Sequence, residues 1–205
     1  MAFPQHGVVR TPGTRELLEE AADRGGRPGR RASTRSASTR RSLQGKVAVS
    51  HVFCVPGLPE RELDAPAAGL AEAGISLTTV APSSDLVLPI ERLREHGVHV
   101  GLGSDGVRDS WSPFGDADML HRAHLLARVQ DARLDEELEA AFRAGADDGA
   151  HLLGLERADL RPGSPADFLL VRGECLPQVV VELPRRELVV RGGRIVARDG
   201  ELVGG

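Results

Sequence analysis

Val98-His-Val-Gly-Leu-Gly-Ser-Asp-Gly-Val-Arg-Asp-Ser-Trp-Ser-Pro-Phe-Gly115 decides the fold. Val98, Val100 and Leu102 alternate with small or polar neighbours, the pattern of a buried strand. The run breaks at Gly103-Ser104-Asp105-Gly106, and an irregular loop carrying Pro113 and Gly115 leads into the next helical pattern. Ser-Asp-Gly is ordinary turn chemistry. A carboxylate at the carboxyl end of a core strand nevertheless has an apolar floor and an open roof. In barrels and open α/β sheets, catalytic groups gather at that end.

Upstream of this stretch the same alternation repeats. Lys46–Cys54 reads as a strand, residues 59–73 as a helix with Leu63, Ala67, Leu70 and Ala71 on its buried face, and Gly74 as its stop. Ile75–Val80 reads as a strand closed by Ala81-Pro82, and a helix follows from Pro89 through His96 until Gly97 ends it. Strand, helix, strand, helix, strand with short connections predicts a parallel sheet with crossover helices.

Downstream, Asp116 is expected to cap a helix to about Gln130, with further helices over Glu136–Ala144 and Ala146–Leu153. Strand-like runs then replace helices: Asp167–Val171, Val179–Glu182, Glu187–Arg191 and Arg194–Arg198, with a Gly192-Gly193 hairpin turn. The tail is therefore expected to form a small β unit. At the other end, residues 1–13 read as loop and Thr14 as the cap of a helix over 15–23. Residues 24–44 form an Arg/Ser-rich tract with no acid and almost nothing to bury, which predicts disorder. The expected organisation is 1–23, a barrel fragment; 24–44, the tract; 45–158, the main βα portion; and 159–205, the β unit.

Composition narrows the function classes. The chain has 205 residues, a formal net charge of −4 and a single Trp. Its overall charge offers no attraction to nucleic acid or anionic membrane. The Arg/Ser tract has no aromatic to stack on bases, so no nucleic-acid partner is expected. Cys54 and Cys175 lie far apart, which argues against a disulfide scaffold and a thiolate zinc site. No apolar run approaches the ~20 residues of a membrane span, and the amino terminus has no signal-peptide pattern. A cytoplasmic protein without a membrane partner is expected, and a homo-oligomer is compatible with these features.

Ser50-His51 on one strand, Gly103-Ser104-Asp105 on a later one and Trp111-Ser-Pro-Phe-Gly115 beyond it resemble the amidohydrolase superfamily, in its cytosine-deaminase-like branch. Ala2-Phe-Pro-Gln-His-Gly7 resembles that branch's Phe-Pro-Gln segment. Leu160-Arg-Pro-Gly-Ser-Pro-Ala-Asp-Phe-Leu-Leu170 and Val189-Val-Arg-Gly-Gly-Arg-Ile-Val196 resemble its carboxyl-terminal β-sandwich. The resemblance implies an α/β fold: an incomplete TIM-type (β/α) barrel with a small C-terminal β-sandwich portion. It also implies a divalent metal, Zn or Fe, whose bound water attacks a C–N centre of a cyclic amidine, a small heterocyclic substrate. By this resemblance Asp105 is the metal ligand and proton acceptor, and His51 the imidazole that stabilises charge at the reacting carbon. Gln5 would read the heterocycle's edge through its amide, and Trp111 would wall the pocket. His121, His124 and His151 are read as structural, the first two on the outer face of their helix.

The departures are equally specific. The family's strand-1 His-x-His is not in this sequence, and the interval that should hold a strand-5 His and a nearby Glu is the Arg/Ser tract. One aspartate and one histidine fall short of the three protein ligands that catalytic zinc sites keep. A shortened and frame-disrupted member of the family is the expectation. A second acid directly after the metal aspartate, present in cytosine deaminases, is replaced by Gly106. That replacement suggests a larger ring such as a pterin or triazine.

Overall fold

Three short parallel strands, β1 (Val47–Ser50), β2 (Ile75–Thr79) and β3 (Val100–Leu102), lie in the order β1-β2-β3. The computed structural model describes residues 44–110, 112–155 and 160–204. The predicted helix over 15–23, the Arg/Ser tract up to residue 43, Gln5, Trp111 and the boundary expected at 158/159 lie outside the described residues.

Helix α1 (Glu60–Ala73) crosses from β1 to β2, and α2 (Ile90–Glu95) from β2 to β3, which delivers the expected βαβαβ unit. Gly74 ends α1 in the left-handed conformation (φ 63°), with its N–H donated to the Ala71 and Leu70 carbonyls. A Cβ there would stand 2.7 Å from the Gly45 nitrogen, so glycine is required twice over. The core is aliphatic, as a chain nearly without aromatics must make it. Leu77, Leu88, Leu93, Val98, Val100 and Leu126 are each no more than 1 % exposed.

Beyond β3 come α3 (Met119–Val129), α4 (Asp135–Gly145) and α5 (Asp147–Leu152). The cap of α3 is Asp118, not Asp116. Asp118 Oδ1 accepts the amides of Leu120 at 2.9 Å and His121 at 3.0 Å, while Asp116 accepts the Asp118 amide and pairs with His121 Nδ1 at 2.8 Å. His124 does not face outward as expected: its Nδ1 lies 2.9 Å from the Val180 carbonyl.

The tail forms an antiparallel sheet of β4 (Phe168–Val171), β5 (Arg186–Arg191), β6 (Arg194–Arg198) and β7 (Glu201–Leu202) in that order. Gly192 and Gly193 both have positive φ (56° and 73°), matching the expected two-residue hairpin turn. The run expected as a strand at Val179–Glu182 is instead part of helix α6 (Leu176–Glu182). Pro177 starts the helix where a missing N–H costs nothing, and Gln178 donates to Glu182 four residues on. Val179 and Val180 are buried in the common core, so packing overrides the β preference of three valines. Arg186 reaches across to Asp118 Oδ1 at 2.6 Å, tying this sheet to the start of α3.

Candidate functional site

The site forms where the parallel strands end, and β2 holds both sides of it. The His51 N–H donates to the Thr78 carbonyl (2.9 Å), and the Gly103 N–H donates to the Thr79 carbonyl (3.0 Å). Neighbouring carbonyls of one strand thus anchor the two segments that carry His51 and Asp105.

Strand β1 stops earlier than the alternation predicts, at Ser50 rather than Cys54. The Val52 N–H turns back to the Ser50 carbonyl (3.0 Å), closing a three-residue turn centred on His51 (φ 73°). Val52 (φ 44°) and Asp105 (φ 54°) share the left-handed region, which is unfavourable for residues bearing a Cβ, and most of all for a β-branched one. Strain of this kind persists only where the surroundings over-determine it, and it gathers at functional sites. Here it turns both side chains off the sheet and toward each other.

His51 Nε2 lies 3.6 Å from Asp105 Oδ2, within ion-pair range and just beyond a direct hydrogen bond. The two side chains are 37 % and 47 % exposed, so the pair is open to a small solute. His51 Nδ1 is buried and, among the described residues, has no hydrogen-bond partner. The structure therefore brings together the two strand-end residues singled out in the sequence. Gln5 and Trp111, the other two, lie outside the described residues.

Two neighbours escaped the sequence reading. The Phe53 ring packs against His51, centroids 5.2 Å apart. Its signal was its place two residues after the histidine, hidden by reading it as strand. The second is Asp109. A Cβ built on Gly106 would meet both Asp109 carboxylate oxygens at 2.7 Å. The Ser112 N–H donates to Asp109 Oδ1 (2.9 Å), and the Asp109 N–H donates to the Ser112 carbonyl (2.9 Å). The space that Gly106 leaves is thus taken by an acid from three residues on, and it is not an empty extension of the pocket.

A divalent metal needs more than this pair. Among the described residues no group of three or more His, Cys, Asp or Glu side chains is placed to hold one. His51 and Asp105 offer two donors, one short of the usual catalytic zinc set, so the described donor set does not fit a metal by itself.

In α/β enzymes, catalytic groups gather at the end of the sheet where His51 and Asp105 stand here. The model of the amidohydrolase family matches residues 19–202, and this chain belongs to that family. It is 27 % identical over 161 residues to N-isopropylammelide isopropyl amidohydrolase of Pseudomonas sp. (strain ADP), covering 78 % of this chain and 40 % of that protein. The solved structure of N-isopropylammelide isopropylaminohydrolase from Burkholderia multivorans ATCC 17616 is 36 % identical. It superposes with a TM-score of 0.77 over 98 % of this chain and 63 % of that one. 5-Methylcytosine deaminase from Klebsiella pneumoniae, 19 % identical, shares the fold with a TM-score of 0.67 over 89 % of this chain and 44 % of its own. The chain thus spans less than two thirds of the length of each of these relatives, from 40 % to 63 %.

Proposed function

We propose that this chain carries the later strands of an amidohydrolase (β/α) barrel with part of a β-sandwich, and that its site hydrolyses a C–N bond of a cyclic amidine. The observation that carries this reading is the meeting of His51 and Asp105 over the end of β2. The substrate class is cytosine or a related pyrimidine, pterin or triazine. The heterocycles in the relatives' names, an ammelide and a methylcytosine, support it.

In that reaction water adds to the ring carbon bearing the amine. A C–O bond forms, the C–N bond breaks, and ammonia or an alkylamine leaves. The Asp105 carboxylate takes the water's proton and returns it to the departing nitrogen. His51, through Nε2, faces the charge that gathers at the reacting carbon. Gln5 pairs with the amidine edge and Trp111 walls the ring. Asp105 is the residue that would ligate the family's Zn or Fe, an ion that activates water when bound. Among the described residues only His51 and Asp105 stand there as donors for it.

The two-donor set among the described residues favours a second reading, a non-catalytic remnant or interaction module of the same fold. Amine release from cytosine and N-isopropylammelide, assayed with metal content on the purified full chain, separates the two readings. The enzyme reading expects near one equivalent of zinc or iron and a rate that falls about 10²- to 10⁴-fold in Asp105→Ala. The remnant reading expects neither bound metal nor amine.

A further inference from the structure

At the opposite end of the parallel sheet from His51 and Asp105, a second polar cluster holds α5 against β3. None of the α5 side chains is fully buried. The helix sits close on Gly101, where an added Cβ would stand 2.7 Å from Leu152 Cδ1 and 3.3 Å from the Asp148 carbonyl oxygen. Ionic contacts add to that packing. Asp148, 13 % exposed, accepts from Arg94 of α2 at 2.6 Å and lies 3.1 Å from Nδ1 of His99, the residue before β3. His151 of α5 stacks on His99 with centroids 3.8 Å apart and an interplanar angle of 26°.

We propose that the His99–His151 stack is an acid-release latch for α5. With one proton in the stack, an imidazolium lies on a neutral ring beside the Asp148 carboxylate, an attractive arrangement. A second proton places two cations face to face, 3.8 Å apart, beside Arg94. Asp148 already serves both Arg94 and His99. Glu91 faces the other side of Arg94. Arg143 of α4 and Asp147 of α5 line the same groove, and Arg143 has Glu139 at 3.9 Å. The second proton therefore sets two imidazolium rings face to face where Asp148, Glu91 and Glu139 already pair with arginines, and α5 can shed that ring-to-ring repulsion by leaving the sheet. Imidazole is the side chain whose charge ordinarily changes between about pH 5 and 8, which makes this an acid response. It stands independently of the proposed function.

Hydrogen exchange on the full chain, corrected for intrinsic rates and followed from about pH 7.5 to about pH 5, tests it. The amides to read are Ala150 and Leu153, bonded to the Ala146 and Gly149 carbonyls, and Leu77, bonded to the His99 carbonyl. Protection at these amides is expected to fall roughly tenfold on acidification. His151→Phe keeps a flat ring on His99 but removes one proton site, and is expected to hold protection to within about twofold. Wild-type protection that is flat with pH, or a variant that loses it equally, overturns the latch. Should the variant not fold, imidazole chemical shifts in the wild type decide: two coupled titration steps support the latch, and two independent ones overturn it.

Discussion

Gly106 shows how one residue reads differently alone and in place. Its missing side chain suggests an enlarged pocket beside Asp105, but the Asp109 carboxylate fills that space. Gly106→Ala must displace Asp109 and break its bond from the Ser112 amide. The expected cost is about 1 kcal/mol, measurable as a lower denaturation midpoint, and it should disappear in the Asp109→Ala background. Asp116 supplies a pH test. The Asp118 amide, and after it the His121 imidazole, hold its carboxyl below the ordinary aspartate value. Its pKa is lowered on folding, so its contribution to stability is complete above about pH 4 and is lost as pH falls below that. Asp116→Asn is expected to lower stability most above about pH 4 and to converge with the wild type below it, which flattens the acid limb of a stability-versus-pH curve.

At the scale of elements, Asp118 does two jobs that sequence spacing cannot separate. It caps α3 through the Leu120 and His121 amides and receives Arg186 from β5. Asp118→Ala is expected to cost about 1–2 kcal/mol through the lost cap. It also strands an arginine side chain that is only 17 % exposed. A double-mutant cycle with Arg186→Ala is expected to return a coupling of about 1 kcal/mol. Zero coupling would show that the sheet is held by apolar contact alone. Helix α6 carries the matching lesson. Its valines favour a strand locally, yet Pro177 at its start and burial of Val179 and Val180 make it a helix.

For the whole molecule, the unsolved problem is edges. Among the described residues, β1 and β3 each pair on one side only. On the antiparallel sheet Leu169, Val189, Ala197 and Leu202 stand in register across four strands, with Leu169 45 % and Leu202 87 % exposed. Open edges beside apolar faces favour association. Sedimentation is expected to show a weight-average mass that rises with concentration, and Leu202→Lys is expected to reduce the rise. A mass independent of concentration in the micromolar range would show that these surfaces are covered within the chain.

Sequence by itself determined the βαβαβ order, the aliphatic core, the β tail with its Gly192-Gly193 turn, and the choice of His51 and Asp105 as candidates. Each of these rests on local periodicity, on glycine and proline chemistry, or on motifs that keep their order along the chain. Tertiary structure alone decided that the two residues meet, at 3.6 Å, over carbonyls of a strand that carries neither of them. It also decided that Asp118 rather than Asp116 caps α3, that Asp109 fills the space at Gly106, and that His99 and His151 stack. These outcomes depend on contacts between side chains distant in sequence or on how a loop folds back. Spacing along the chain carries no record of either.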